Sequence, residues 1–395
     1  MKYKLKEICT VITDGSHWSP QACDDGYPMF SVKDMLEYGF SYENCKRISI
    51  ADFVKMKSSG CVPQKGDVLI AKDGSYLKEI FVCDETREEA ILSSIAIFRP
   101  NQRIVTPEYL CYLLKSPKVY NYIKDNCVSG SAVPRIVLKT FKEVEMDVPD
   151  LVTQKKRCSI LLSIDRKIQT NSKINGNLLD QARTYFKKLF VDEVSPEWHD
   201  GYLSDLGRIV AGGTPSKDKP EYYCDNGIAW ITPKDLSVDR SVFVSHGEND
   251  ITDLGYAKSS ATKMPKGTVL FSSRAPIGYI AIASNEVTTN QGFKSVIPNE
   301  NVGTGFMYFL LEHLLPTIEN MASGSTFKEI SGSAMKVVPT IIPDDSTLKE
   351  FNDFCTPILA EVEILEQQSK RLAEQRDILL PKLMSGELDV SDIDL

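Results

Sequence analysis

Residues Thr153 to Phe190 read TQKKRCSILLSIDRKIQTNSKINGNLLDQARTYFKKLF. Taken in sevens, they set Leu161, Ile168, Asn175, Ala182 and Leu189 on one position, and Ile164, Asn171, Leu178 and Tyr185 on another. Spacings of three and four put these side chains on one stripe of a helix. A second stretch repeats the pattern, with Ile358, Leu365, Leu372 and Leu379 alternating with Val362, Ser369, Arg376 and Leu383. Such a stripe over about four heptads predicts a coiled-coil seam. The alternative is an ordinary amphipathic helix on a globular core, but both stretches are long for that.

Charge predicts that the two stretches pair with each other. Residues 153–190 carry nine Lys or Arg against two Asp, a net of +7, and residues 344–395 carry five against thirteen acids, a net of −8. Opposite signs favour this pairing and disfavour self-pairing. Exposed ion pairs are individually weak, so charge here argues partner choice and not strength. Asn171, Asn175, Ser369 and Arg376 fall in the seam, where polar groups cost stability and set register.

The rest of the chain is a repeat at about 200 residues. LKEICTVITDGSHWSP (Leu5 to Pro20) parallels LSDLGRIVAGGTPSKD (Leu203 to Asp218), and GYPMFSVKDML (Gly26 to Leu36) parallels GIAWITPKDL (Gly227 to Leu236). KGDVLIAKDGSYLKEIFV from Lys65 parallels KGTVLFSSRAPIGYIAIA from Lys266, and ILSSIAIFRPN from Ile91 parallels TTNQGFKSVIPN from Thr288. CVSGSAVPRIVLKTFKEVEMDVPD (Cys127 to Asp150) parallels MASGSTFKEISGSAMKVVPTIIPD (Met321 to Asp344), and a long helix follows each copy. The offset drifts from about 201 to 194, as loop insertions allow.

Within each copy, β-branched and aromatic runs at Val68 to Ala71, Val269 to Ser272 and Tyr279 to Ala283 predict strands. Tyr109 to Lys115 and Phe306 to Leu315 predict helices. The expected fold is α+β: two similar mixed modules separated by two long antiparallel helices in a coiled coil, with a pseudo-twofold arrangement. The expected boundaries are a first module at 1–152, a first helix at 153–190, a second module at 191–343, and a second helix with an acidic tail at 344–395.

Composition bounds the function. The chain has 395 residues, 42% hydrophobic and 25% charged, which is ordinary for a soluble protein of two or three domains. No apolar run approaches the ~18–20 residues of a membrane span, and MKYKLKEICT lacks a signal-peptide core. Ten cysteines without a C-x-x-C pair predict a reducing cytoplasm and give zinc little support. Net charge is −8, and residues 1–343 balance at 41 basic and 41 acidic, so bulk charge gives no warrant for nucleic-acid binding. Catalytic signatures are missing: there is no phosphate loop G-x-x-x-x-G-K-[ST], no Pro-Pro of an adenine methyltransferase, and no H-x-x-x-H among four histidines. The chain is therefore expected not to be an enzyme by itself.

The repeat resembles the DNA-specificity subunit of a type I restriction–modification system. The resemblance rests on G-G-T-P-S (Gly212 to Ser216), the strand and loop through SSRAPIG (Ser272 to Gly278), SGSTFKEI (Ser323 to Ile330) and the ending LLPKLMSGEL (Leu379 to Leu388). The first module departs from it, with TDGSHWS in place of the Gly-Thr-Pro-Ser motif and AKDGSYL in place of SSRAPIG. The resemblance implies two target-recognition domains that read a bipartite, asymmetric double-stranded DNA target. It implies two modification subunits docked on the helices, methylating adenine with S-adenosylmethionine, and restriction subunits that cleave with ATP. S-adenosylmethionine, ATP and Mg2+ then belong to those partners, and this chain binds no cofactor or metal.

Candidate DNA contacts follow from residue type. Arg274, beside Ser272 and Ser273, suits bidentate pairing with guanine, or pairing with a nearby acid. Thr214, Ser216 and Lys217 lie in a Gly/Pro turn suited to phosphate, although Gly212 and Gly213 also fit a tight turn. Lys234 is a backbone contact or a solvated lysine. Ser323, Ser325 and Thr326 offer small donors, or an N-cap. The first-module counterparts are Ser16, His17, Trp18, Lys33, Lys72, Ser75, Ser129, Ser131 and Arg135, with Trp18 alternatively a core residue. On the helices, Ile164, Ile168, Leu178, Ile358, Leu365, Leu372 and Leu379 are the expected pairing residues. Thirty-eight helical residues span about 57 Å, so helix length is expected to set the spacer between half-sites. Two other classes stay open: the recognition half of a split modification enzyme without restriction, and a coiled-coil scaffold without a DNA target.

Overall fold

The computed structural model describes residues 1–74, 76–130, 134–324 and 328–393. The chain forms two compact units, residues 1–169 with 371–395, and residues 170–370.

In the first unit, a four-stranded antiparallel sheet is built from β1 (Cys9–Asp14), β2 (Val68–Ala71), β3 (Ile80–Val82) and β4 (Ile95–Pro100), in the order β1-β4-β2-β3. Strand alternation splits its side chains between two faces. Val68, Ile70, Ala96 and Phe98 face the helix Pro107–Lys115, Phe141 and the long helices. Leu69, Ala71, Ile95 and Ile97 pack on Phe30 and Phe81. Both faces are covered, so β2 reads as a continuous apolar run.

The second unit repeats this plan. Strands β5 (Gly207–Ala211), β6 (Phe243–Val244), β7 (Val269–Ser273), β8 (Ile277–Ala283) and β9 (Lys294–Pro298) run in the order β5-β9-β7-β8-β6. The first four match β1-β4-β2-β3, and β6 adds a parallel edge strand. Smaller pairings repeat as well. Lys2–Lys4 pairs with Glu145–Asp147 as His199–Tyr202 pairs with Pro339–Ile342. Tyr27–Phe30 runs parallel to Ala90–Ile91 as Trp230–Ile231 does to Thr288–Thr289. The expected α+β repeat is present at the level of strand order.

The first long helix is Leu151–Lys187, continued by a π-turn at Lys188–Asp192, and the last is Asp345–Ser385. The repeated Pro-Asp starts both. Asp150 accepts the Val152 and Thr153 amides at 3.0 Å, and Asp344 accepts the Thr347 amide at 2.9 Å. Each carboxylate satisfies amide donors that a helix leaves free at its start, and hydrogen bonds from the Thr153 and Ser346 hydroxyls first, then from these amides, hold both carboxyls below their ordinary range.

The helices pack antiparallel in each unit. In the first, Arg157 bonds the Met384 carbonyl at 3.3 Å and Asp165 pairs with Arg376 at 3.1 Å. In the second, Asn171 Nδ2 donates to Gln368 at 2.9 Å and to Ser369 at 3.1 Å, and Asn175 lies against the Val362 carbonyl. Numbers rise along one helix as they fall along the other. Ile164 and Leu365 are buried in the seam, and Ile168, Leu178, Ile358, Leu372 and Leu379 are half-buried. Neighbours of the seven-residue reading are buried deeper in places: Leu359 is 6% exposed beside half-buried Ile358.

Candidate nucleic-acid interface

In the second module the loops after β5 and β7 and before β9 meet at one end of the sheet. They enclose a cleft of about 590 Å3 lined by Thr214, Lys217, Lys234, Arg274, Asn290 and Gln291, with Tyr223 and Trp230 also in its wall. Four expected contacts thus share one cleft. Thr214 bonds Gln291. Lys234 pairs with Glu248 at 2.6 Å on the surface, which raises its ammonium pKa. Arg274 Nη1 lies 3.3 Å from Glu329. Ser216 and Lys217 are exposed.

The glycines of the turn are demanded by packing. A Cβ on Gly212 would sit 1.9 Å from the Asn290 carbonyl, and one on Gly213 would sit 2.3 Å from the Ala261 nitrogen. The Gly213 carbonyl accepts the Trp230 indole N–H at 3.0 Å. The turn is thereby pinned against the cleft wall.

Ser272 and Ser273 lie beneath the cleft and are fully buried. Ser272 Oγ donates to the Pro276 carbonyl at 2.8 Å and accepts the Tyr279 amide at 2.7 Å, while Ser273 Oγ donates to the Gly292 carbonyl at 3.1 Å. Their hydroxyls shape the loops and do not face solvent. Ser323 is exposed and exchanges backbone hydrogen bonds with Glu329. Ser325 and Thr326 lie outside the described residues.

In the first module Lys72 is buried and pairs with Asp14 at 2.6 Å, so its ammonium is spent inside the protein. Exposed His17 lies 3.4 Å from the same Asp14. Trp18 is 42% exposed, with the Lys55 ammonium 4.1 Å above its ring, so it is no core residue. Ser16 Oγ bonds the Trp18 backbone. Lys33 and Ser129 are exposed, and Arg135 sits opposite Ser129 in a short hairpin. Ser75 and Ser131 lie outside the described residues.

Sequence reasoning missed Trp230, Tyr223, Asn290 and Gln291. Asn290 and Gln291 sat in the repeat segment from Thr288, and their polarity at a strand's start was the available signal. Among the described residues, no cluster of three or more His, Cys, Asp or Glu is arranged to hold a metal, and no helix is long and apolar enough to cross a membrane.

A family model for the type I restriction modification DNA specificity domain matches residues 1–179 and again 196–374. The chain belongs to that family. The two matches coincide with the two copies of the repeat. Among curated relatives, the chain is 37% identical over 193 residues to the MjaIX specificity subunit of Methanocaldococcus jannaschii, across 47% of this chain and 44% of that one. It is 25% identical over 405 residues to the HindI specificity subunit of Haemophilus influenzae, across 82% and 87%. Its fold is similar to the crystal structure of a type I restriction–modification S subunit from M. genitalium, with a TM-score of 0.59 and 14% identity over 97% and 95% of the chains.

Proposed function

We propose that this family member is the DNA-recognition subunit of a type I restriction–modification complex, with each module reading one half of a bipartite duplex target. One observation carries the reading. Both modules bring their loops to the same end of a sheet with the same strand order, and in the second module those loops make a cleft holding arginine, lysine, asparagine and glutamine. Arg, Asn and Gln are among the side chains that pair with base edges, and Lys also holds the phosphate backbone.

In this reading the modules are residues 1–152 and 191–343, and the helical segments 153–190 and 344–395 set the spacer and dock two modification subunits. Seam residues are used up in helix pairing. Ile364 and Ile378, 58% and 62% exposed and fourteen residues apart, are better docking candidates. Methyl transfer with S-adenosylmethionine, and cleavage with ATP and Mg2+ by restriction subunits, belong to the partners. The chain supplies the address in the cytoplasm.

Salt-dependent binding tests this reading. Lys217→Ala with Lys234→Ala should weaken binding to all duplexes alike and lower the slope of log K against log salt by about 1 per lysine contacting phosphate. The complex with its modification subunits is the species to measure. Binding that ignores both sequence and salt would favour a scaffold instead.

A further inference from the structure

The two modules carry the same ion pair with its charges exchanged. Asp73 follows β2 and Arg274 follows β7, 201 residues later. Arg135 and Glu329 stand 194 residues apart in the matching Ser-Gly-Ser segments. Asp73 forms an isolated antiparallel bridge with Arg135, and Arg274 forms one with Glu329. The backbone around them is the same: the Ile136 amide donates to the Lys72 carbonyl at 2.9 Å, and the Ile330 amide to the Ser273 carbonyl at 3.1 Å. In the first module the acid is on the sheet loop and the base on the hairpin. In the second, the order is reversed.

A pair that only fastened two loops would work either way round. Exchange alters something else, namely which chemistry the sheet loop displays. Neither pair is bidentate. Asp73 Oδ1 is buried, lies 4.0 Å from Arg135 Nε and has no hydrogen-bond partner among the described residues, while the side chain as a whole keeps 19% exposure. Arg274 gives one nitrogen to Glu329 at 3.3 Å, lines the cleft, and shares Glu329 with Lys294 at 3.5 Å. An arginine fork matches the O6 and N7 acceptors of guanine, and a carboxylate matches the amino group of cytosine or adenine.

We propose that residues 73 and 274 are matched specificity positions, with Arg274 reading a guanine and Asp73 reading a base with a major-groove amino group. Arg135 and Glu329 are their positioning residues. This rests on the DNA-recognition reading above. It explains, in one position, how two copies of one module come to read unlike half-sites.

The test is target selection from a randomised duplex library by the full chain with its modification subunits. Arg274→Glu with Glu329→Arg should replace guanine at one position of one half-site. Asp73→Arg with Arg135→Glu should install guanine in the other. Each switch should change preference about tenfold or more at that position and leave the other half-site alone. Should an exchanged variant fail to fold, Arg274→Lys decides: it keeps the charge beside Glu329 but loses the fork. Guanine preference should then fall while melting temperature holds; unchanged preference overturns the proposal. A wild-type complex that selects no sequence overturns the recognition reading. A selective wild type whose exchanged, folded variants keep the same target overturns this inference alone.

Discussion

Arg376 donates to Asp165 at 3.1 Å between the two helical segments of the first unit. The acid stands on the basic helix and the arginine on the acidic one, the reverse of the helices' net charges. Tyr38 and Tyr112 donate to Asp165 at 2.8 and 2.5 Å, and Arg376 also reaches Glu37 and the Tyr38 oxygen. The matching positions in the second unit are apolar. Leu359 lies 194 residues after Asp165, Ala182 lies 194 before Arg376, and Phe309 matches Tyr112. All three are buried. At these positions one fold thus fastens module to helix by a polar cluster in one copy and by packing in the other.

This asymmetry predicts a mutational pattern. Asp165→Ala or Arg376→Ala strands a largely buried partner and should cost about 3–5 kcal/mol. The combination Asp165→Leu, Arg376→Ala and Tyr112→Phe installs the second unit's solution. It should lie within about 1–2 kcal/mol of wild type, because apolar replacement of the buried ion pair leaves no buried charge unpaired and, among half-buried groups, strips partners only from the Tyr38 hydroxyl. Urea midpoints of the full chain decide. A triple variant as unstable as the worse single one would refute the equivalence.

A second fastening is sensitive to pH. Glu366 on the last helix accepts the Val242 and Phe243 amides, at the start of edge strand β6, at 2.7 and 3.0 Å. Burial pushes its carboxyl from 4.5 up to about 7, aided by Asp239 and Glu363 and opposed by those two amides. The folded chain therefore holds a proton that the unfolded chain has released. The stability this confers is present below about pH 4.5 and lost as pH rises through about 7, on the order of 3 kcal/mol in full. Comparing wild type with Glu366→Gln in urea at pH 5 and pH 8 isolates this contribution, since the variant cannot titrate. Parallel curves for the two would show that Glu366 is not responsible.

The seam was readable in sequence because its period is local: side chains three and four apart share a helix face whatever surrounds them. The strand repeat was readable because β2 and β7 are apolar runs between glycines. The site was readable only in part. Arg274 was identifiable by residue type, but its partner Glu329 is 55 residues away, and the pairing appears only once strand register is known. Ser272, Ser273 and Lys72 were chosen for polarity, and the fold buries all three. Polarity at a strand end says that a group needs a partner, not whether that partner is protein or DNA. Asp165 escaped notice because the seven-residue reading falls on Ile164, one residue away.

The long helices yield the last prediction. Seven residues turn an α-helix through nearly two full turns, so an inserted heptad returns the apolar stripe to its face with a drift of about 20°. Seven residues added after Gln169 and seven after Lys370 should therefore keep the chain folded. At ~1.5 Å per residue this adds about 10 Å of helix, or about 3 base pairs at ~3.4 Å each. Mapping methylated sites in cells that carry the altered chain should find both half-sites unchanged and the spacer longer by about three. Insertions of five residues supply the contrast, since they rotate the stripe by about 140° and should lower the urea midpoint instead. A folded heptad variant that methylates the original spacer would remove helix length from the recognition mechanism.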